Sequence, residues 1–163
     1  MTFLKDTNSG KLLKEIRANS PLIWNISNFV SMDIAANMLL SIGASPAMAH
    51  AIEEAESFAN LSKAINGALT INIGTFDKHW QKCAIKVAKE AKLHDIPWVL
   101  DPVGAGASEF RSNNAKELLF LKPTVLRGNG SEIISISGIS NSGKGVDSTS
   151  SSNEALDLSL IHI

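Results

Sequence analysis

Polar and charged side chains able to bind a phosphorylated ligand follow two short apolar runs in the second half of the sequence. Asp101 ends one run, and Arg127, Asn129 and Glu132 follow the next. A carboxylate such as Asp101 can hold a hydrated magnesium ion or the proton of a substrate hydroxyl, and a planar guanidinium can clamp phosphate oxygens. An amide and a carboxylate three residues apart, as in Asn129 and Glu132, can hold a metal-bound water against phosphates. These residue types predict a ligand site.

Each of these residues also has a purely structural interpretation. Asp101 can cap a helix or close a turn, and Arg127 can pair with Asp101 or Glu132 instead of with a ligand. Asn129 and Glu132 also fit a capping box at the start of a helix. The small residues at 104–106 allow a backbone to approach a ligand closely, or they allow only a tight turn. The sequence alone leaves these alternatives open.

The elements that must position these side chains alternate regularly between strands and helices. Short apolar runs predict strands at Leu22–Ile26, Ser45–Ala49, Ala68–Ile73, Trp98–Val103 and Thr124–Leu126. Helical periodicity and capping residues predict helices ending near Ala18, from Ser31 to Ile42, over Ile52–Leu61, from Asp77 through Ala91, over Asn113–Leu121 and from Asn129 onward. This order predicts an α/β fold with three α/β/α layers around a mostly parallel sheet.

The predicted topology brings distant residues to one edge of the sheet. In a right-handed parallel sheet the carboxyl ends of all strands lie on the same edge, where ligands bind. The side chains expected there are Asn25, Met48, His50, Asn72, Thr75, Asp101, Arg127 and Asn129. This convergence is the functional argument that the residues themselves supply.

Composition and missing motifs exclude several classes of protein. The chain has 163 residues, a formal net charge of -1 and 19% charged residues, so no basic surface favours nucleic acid or an anionic membrane. The N-terminal residues lack the apolar core of a signal peptide, no later run is long enough to span a bilayer, and Cys83 is the only cysteine. We therefore expect a cytoplasmic protein. The P-loop pattern, the dinucleotide fingerprint and zinc-ligand spacing are all missing from the sequence.

The sequence shows a family resemblance that covers most of the chain. Five blocks in order resemble hydroxyethylthiazole kinase of thiamine salvage, a ribokinase-like fold: Pro21-Leu-Ile-Trp-Asn-Ile-Ser-Asn-Phe-Val, Asn37-Met-Leu-Leu-Ser-Ile-Gly-Ala-Ser-Pro-Ala-Met-Ala-His, Asn72-Ile-Gly-Thr, Asp101-Pro-Val-Gly-Ala-Gly-Ala and Arg127-Gly-Asn-Gly-Ser-Glu-Ile.

The resemblance implies transfer of the ATP γ-phosphoryl group to the alcohol of 4-methyl-5-(2-hydroxyethyl)thiazole. It implies that Arg127 and Asn129 bind ATP, and that Asp101 and Glu132 lie near magnesium and phosphate. Magnesium and the guanidinium would then offset phosphate charge while the pocket positions the alcohol in line.

The resemblance also implies a substrate pocket and an assembly. Residues matching Met48 and the neighbourhood of Asn25 contact the thiazole in this family. The family forms a homotrimer with the thiazole pocket between subunits, so the N-terminal half is expected to matter for association.

The chain departs from the family pattern toward its C-terminus. Family members continue into a Gly-Thr-Gly-Cys segment with an anion hole and a cysteine beside the substrate hydroxyl. This sequence has no match to that segment, and Cys83 cannot replace its cysteine, so no catalytic residue is assigned. A missing proton acceptor costs about 10²- to 10⁴-fold in rate, and a missing anion site about 10²- to 10³-fold.

The departure at the C-terminus determines the domain organisation that we expect and the functions that compete. We expect residues 1–148 to form the N-terminal part of one kinase domain, incomplete at its C-terminus, and the Ser-rich residues 149–163 to be a non-native or disordered tail. The apolar run Leu156–Ile163 is a weak candidate for a sixth strand. The alternative function is a non-catalytic fragment that binds thiazole or joins full-length subunits. A different small-molecule kinase of the same fold is a third hypothesis.

Overall fold

A computed structural model describes residues 8–137 as a parallel sheet with flanking helices. The strands of this range lie in the order β2-β1-β3-β4-β5. They are β1 (Leu22–Ile26), β2 (Ser45–Ala47), β3 (Ala68–Asn72), β4 (Trp98–Asp101) and β5 (Val125–Leu126). The helices are α1 (Asn8–Asn19), α2 (Met32–Ile42), α3 (Ala55–Ala64), α4 (Lys78–Leu93), α5 (Glu109–Phe120) and α6 (Gly130–Ser137). The α/β prediction is confirmed, whereas the tail at 149–163 lies outside the described residues.

The helices cover both faces of the sheet, but the core is one-sided. The chain moves one way from β1 to β2 and the other way from β2 to β5, so right-handed crossovers place α2 opposite α3, α4 and α5. The helix contacts agree, because α1 packs on α2 while α3 packs on α4 and α4 on α5. The core contains Trp24, Leu69 and Leu100 from the sheet and Val87 and Ala88 from α4. No residue of α2 is buried.

Helix α4 shows how the sequence pattern produces this packing. The Asp77 carboxylate accepts a hydrogen bond from the Trp80 N–H at 2.8 Å, which caps the first turn as predicted. Apolar residues on one face, including Cys83, are buried, and the lysines are exposed. Among the described residues, no helix combines the length and apolar composition needed to cross a membrane.

Four predicted strands are longer than those in the structure, β3 and β5 by one residue and β2 and β4 by two. Strand β4 ends at Asp101 instead of Val103, because the Val103 N–H turns back to the Asp101 carbonyl at 2.9 Å. Strand β2 ends at Ala47, and the chain then turns so that the Ala49 carbonyl accepts from the Trp24 indole at 3.0 Å. Both changes move the last two residues of the predicted strand into a loop at the carboxyl edge of the sheet, Met48 and Ala49 after β2 and Pro102 and Val103 after β4.

Two predicted helices have different starts. Helix α5 begins at Glu109, not Asn113, because the Ser108 hydroxyl accepts the Arg111 N–H at 3.3 Å and caps the helix earlier. The helix predicted over Ile52–Leu61 opens instead with a 3-10 turn at residues 52–54, and α3 follows it. The earlier start of α5 places Arg111 in its first turn.

Candidate functional site

A row of polar side chains connects four strands along the carboxyl edge of the sheet. The Asn28 amide donates to Asn72 Oδ1 at 2.7 Å, and the Asn72 amide donates to Asp101 Oδ2 at 2.8 Å. Arg127 Nη1 donates to the same Asp101 oxygen at 2.7 Å. We call Asn28, Asn72, Asp101 and Arg127 the polar row. It joins the ends of β1, β3, β4 and β5. The predicted convergence at this edge is therefore observed for Asn72, Asp101 and Arg127, and Asn28 is an addition to the predicted set.

The Asp101–Arg127 ion pair is buried on one side and exposed on the other. The Asp101 side chain is 15% exposed and that of Arg127 is 74% exposed. Burial raises the pKa of Asp101, the Arg127 cation opposes that rise, and the negative charge of Glu132 adds to it. Both hydrogen bonds to Asp101 use Oδ2, and Oδ1 accepts none within residues 8–137. The pair thus leaves Asp101 Oδ1 and most of the Arg127 guanidinium available to a ligand.

Glu132 is bound on both carboxylate oxygens by backbone groups. Its Oε1 accepts the Gly104 N–H at 3.0 Å and its Oε2 accepts the Asn129 N–H at 2.9 Å. In return, Asn129 Oδ1 accepts the Glu132 N–H at 3.0 Å, which completes a capping box. Glu132 is 4% exposed. Asn129 and Glu132 therefore form the capping box that the sequence allowed. The Glu132 side chain also holds the loop after β4 against the start of α6.

The small-residue loop after β4 is made of tight turns. Gly104 has a φ of 74°, in the left-handed region that favours glycine. Backbone N–H groups of this loop donate within the protein: Gly104 to Glu132, Ala105 to the Pro102 carbonyl at 2.9 Å, and Gly106 to the Ser112 hydroxyl at 3.0 Å. The loop geometry matches the tight-turn alternative, since these donors are already used.

The donor set at this edge fits a hydrated ion better than an all-protein metal cage. Within the described range, no group of three or more His, Cys, Asp and Glu side chains could hold a metal. Among residues 8–137 no group donates to Asp101 Oδ1, whereas both oxygens of Glu132 accept backbone N–H groups. Mg²⁺ commonly keeps several waters and uses one or two carboxylates with substrate phosphates. Asp101 fits that pattern as a direct ligand.

Arg111 is a residue of this edge that sequence reasoning missed. Its Nη1 donates to the Ile73 and Val103 carbonyls, each at 3.0 Å, and its Nη2 donates to the Gly74 carbonyl at 2.6 Å. It therefore joins the loop after β3 to the loop after β4. No carboxylate in the described part of the chain forms an ion pair with Arg111. Its partners are backbone carbonyls, which no sequence motif indicates.

The residues predicted to lie near the thiazole occupy the β1 end of the edge. Asn25 is 3% exposed, accepts the Thr70 hydroxyl at 2.6 Å and donates to the Ile23 carbonyl at 2.6 Å. Met48 is half-buried in the loop after β2. Its carbonyl lies 3.2 Å from His50 Nδ1, and His50 Nε2 accepts the Ser27 N–H at 3.0 Å. Met48 is thus linked to the residue that precedes Asn28 of the polar row.

An exposed apolar patch adjoins the same end of the sheet. We define it as Phe29, Val30, Ile34 and Met38, which are 61% to 82% exposed. The first two residues lie in the loop between β1 and α2, and the others lie on α2, the helix without buried residues. Large apolar patches of this kind commonly mark interaction surfaces.

Comparisons with known proteins agree with the resemblance seen in the sequence. The sequence model of the hydroxyethylthiazole kinase family matches residues 13–162. This chain is 52% identical over 142 residues to a hydroxyethylthiazole kinase of Rhizobium rhizogenes, and the match covers 87% of this chain and 52% of that protein. It is 51% identical over 149 residues to a hydroxyethylthiazole kinase of Leptospira interrogans, with 90% and 54% covered.

A solved structure gives the same result for the fold. The hydroxyethylthiazole kinase protein of Pyrococcus horikoshii OT3 matches with a TM-score of 0.75 and 43% identity, over 85% of this chain and 51% of that chain. The chain spans about half the length of the curated relatives it matches.

Proposed function

Because the chain belongs to the hydroxyethylthiazole kinase family, we propose that it takes part in transferring the ATP γ-phosphoryl group to the hydroxyl of 4-methyl-5-(2-hydroxyethyl)thiazole. This reaction would serve thiamine biosynthesis or salvage in the cytoplasm. The polar row carries the proposal, because it gathers a carboxylate and an exposed guanidinium at the sheet edge where α/β proteins bind ligands.

ATP binding is assigned to Arg127 and Asn129. Arg127 donates to Asp101 through Nη1, and the rest of its guanidinium is exposed to solvent, where phosphate oxygens can accept hydrogen bonds from it. Asn129 stands at the start of α6, and its backbone N–H is held by Glu132. The role proposed for Asn129 is to fix the segment that carries Arg127 against the phosphates.

Magnesium is assigned to Asp101 and Glu132, with different contributions. When bound, Mg²⁺ would neutralise phosphate charge during transfer. Asp101 would hold the hydrated ion through Oδ1, the oxygen that accepts no hydrogen bond from the described part of the chain. Glu132 would contribute its negative charge and hold the two loops, since its own oxygens accept backbone N–H groups.

The thiazole is assigned to the β1 end of the edge. The Met48 thioether would contact the ring, since sulfur makes favourable contacts with aromatic rings. The Asn25 amide is engaged inside the sheet, so this residue would shape the pocket through its neighbours instead of donating to the substrate. In-line transfer would then depend on positioning the alcohol toward Asp101 and Arg127.

We assign the exposed apolar patch to a homotrimer interface. The four side chains of this patch are apolar and each is more than 60% exposed, and the patch adjoins the proposed thiazole end. Burying this patch between subunits would complete the pocket. Analytical ultracentrifugation of the wild type and of Ile34→Glu tests this assignment, with a trimer in the first and a monomer in the second as the expected result.

A coupled assay of ADP release tests the kinase proposal directly. The purified chain is mixed with ATP, MgCl₂ and the thiazole alcohol, and Arg127→Ala is compared with the exposed-lysine control Lys89→Ala. Thiazole-dependent ADP release that Arg127→Ala abolishes and Lys89→Ala retains supports the proposal. ADP release without dependence on thiazole contradicts the proposed substrate.

The second candidate function is a non-catalytic subunit that binds thiazole or joins full-length kinase. It is favoured by the exposed apolar patch, which suits association with another subunit. Thiazole binding seen by calorimetry, without ADP release, supports this candidate. Absence of both binding and turnover contradicts the two functions together.

A further inference from the structure

His50 connects two segments of the proposed thiazole end through both of its ring nitrogens. Nε2 lies 3.0 Å from the Ser27 backbone nitrogen, which donates its hydrogen, so this ring nitrogen is an acceptor. Nδ1 lies 3.2 Å from the Met48 carbonyl oxygen, which can only accept, so Nδ1 carries the ring proton. The geometry therefore requires the neutral imidazole with its hydrogen on Nδ1.

We propose that His50 is a positioning residue that holds Met48 in place against the end of β1 for thiazole binding. This inference rests on the proposed function, because it takes Met48 as the thiazole contact. Met48 and Ser27 are 21 positions apart in sequence, and they come from loops that follow different strands. His50 joins these two loops directly, since its bonds reach both backbones. The Trp24 indole of β1 also holds the loop after β2, through the Ala49 carbonyl.

The imidazole is held by packing as well as by hydrogen bonds. Its ring meets the Trp80 ring edge to face, with centroids 4.6 Å apart and an angle of 83°. Trp80 in turn meets Phe29 at 4.3 Å and 81°. Aromatic pairs prefer this arrangement. His50 is thus fixed between β1, the loop after β2 and α4, with few alternatives for its ring orientation.

Few side chains can replace this one. The site needs one donor and one acceptor on opposite sides of a flat group, which neutral histidine supplies. Lysine and arginine offer donors only, and alanine offers neither group. Glutamine carries a donor and an acceptor on its amide, so it is the conservative substitution that restores both bonds in part.

Removing the imidazole has two structural consequences. The Ser27 N–H loses its acceptor although Ser27 is 6% exposed, and the Met48 carbonyl loses its donor. A hydrogen bond of this kind contributes about 1 kcal/mol, or roughly five-fold in an equilibrium constant. With both bonds lost, we expect His50→Ala to weaken thiazole binding about 5- to 20-fold. ATP binding at the β5 end should change less than two-fold.

The test compares His50→Ala, His50→Gln and the matched control His79→Ala, which removes an exposed histidine of α4. Calorimetry gives the affinities for the thiazole alcohol and for ATP. Nuclear magnetic resonance of 13C-methyl methionine reports on Met48, and 15N resonances of the ring report on the His50 tautomer. Support requires an Nδ1-protonated ring, a shifted Met48 methyl signal and weaker thiazole binding in His50→Ala, partial recovery in His50→Gln, and no change in His79→Ala.

The outcomes separate this inference from the proposed function. If the wild type binds no thiazole, the proposed function fails, and the Met48 methyl signal still decides whether His50 positions that residue. An unchanged Met48 signal in His50→Ala overturns the inference. Equal weakening of thiazole and ATP binding, with no recovery in His50→Gln, also overturns it, because a general loss of structure would then explain the result.

Discussion

Replacing Glu132 with glutamine tests whether this carboxylate holds the edge of the sheet together. The wild-type side chain accepts the Gly104 N–H at 3.0 Å and the Asn129 N–H at 2.9 Å, and it is 4% exposed. Glutamine has nearly the same shape but only one oxygen. Its NH₂ group must therefore face one of the two backbone donors, whichever way the amide is turned.

The magnitude follows from these two bonds. A hydrogen bond to a charged group contributes about 1.5–3 kcal/mol, and a buried donor left without an acceptor costs about 1–3 kcal/mol. Glutamine retains one neutral bond and loses the other, so we expect the free energy of unfolding to fall by about 2–4 kcal/mol. For a chain of 163 residues this corresponds to a melting temperature lower by roughly 5–15 °C.

Thermal unfolding followed by circular dichroism measures this change, with Glu117→Gln as the control. Glu117 is an exposed residue of α5, so the melting temperature of Glu117→Gln should stay within about 1 °C of the wild type. If Glu132→Gln also melts within about 2 °C of the wild type, the two backbone bonds do not hold the loops, and the structural role of Glu132 is refuted.

Three other changes have defined outcomes. Arg111→Lys should lower the free energy of unfolding in urea by about 1–3 kcal/mol, because an ammonium cannot reproduce a fork that donates to three carbonyls; unchanged stability would contradict the clamp. Burial lowers the pKa of His50 below its ordinary value of 6.5, so the unfolded chain binds more protons than the folded chain. The free energy of unfolding should therefore fall as pH drops through 6.5, by at most about 1.4 kcal/mol per pH unit. The dependence of this free energy on pH should be weaker in His50→Gln. Burial, with a smaller contribution from Glu53, raises the pKa of Cys83 to about 11, so iodoacetamide at pH 8 should label it only after unfolding; rapid native labelling would oppose this.

Strong local patterns made most of the fold predictable from the sequence. Helix α4 has a capping aspartate and a continuous apolar face, and the structure confirms both. Helix α5 has almost no apolar periodicity, and its buried face includes the polar residue Asn114, so the sequence pattern does not reveal its start at Glu109. Strand ends were less predictable, because a turn such as that from Asp101 to Val103 depends on one local hydrogen bond.

The candidate site was predictable in location, and the sequence offered two of its connections, the Arg127–Asp101 pair and the Asn129–Glu132 capping box, only as alternatives. Asp101, Arg127, Asn129 and Glu132 were expected at the carboxyl edge, and they lie there. Whether Glu132 bonds to Asn129 or to a ligand depends on backbone positions that spacing does not encode. Arg111 carries no motif, and its three carbonyl partners come from segments about 8 and 37 or more positions away, which only the folded chain brings together.

The register of the central strands makes the polar row depend on the core. Asn72 is paired with Asp101 across β3 and β4, and the preceding pair is Ile71 with Leu100, which are both fully buried. Successive side chains point to opposite faces, so a slip of one residue would place Asn72 in the core and remove the Asp101 bond. The apolar pair therefore fixes the polar one. A cavity at Leu100 should weaken the site without touching any polar side chain, because it weakens the packing that selects this register.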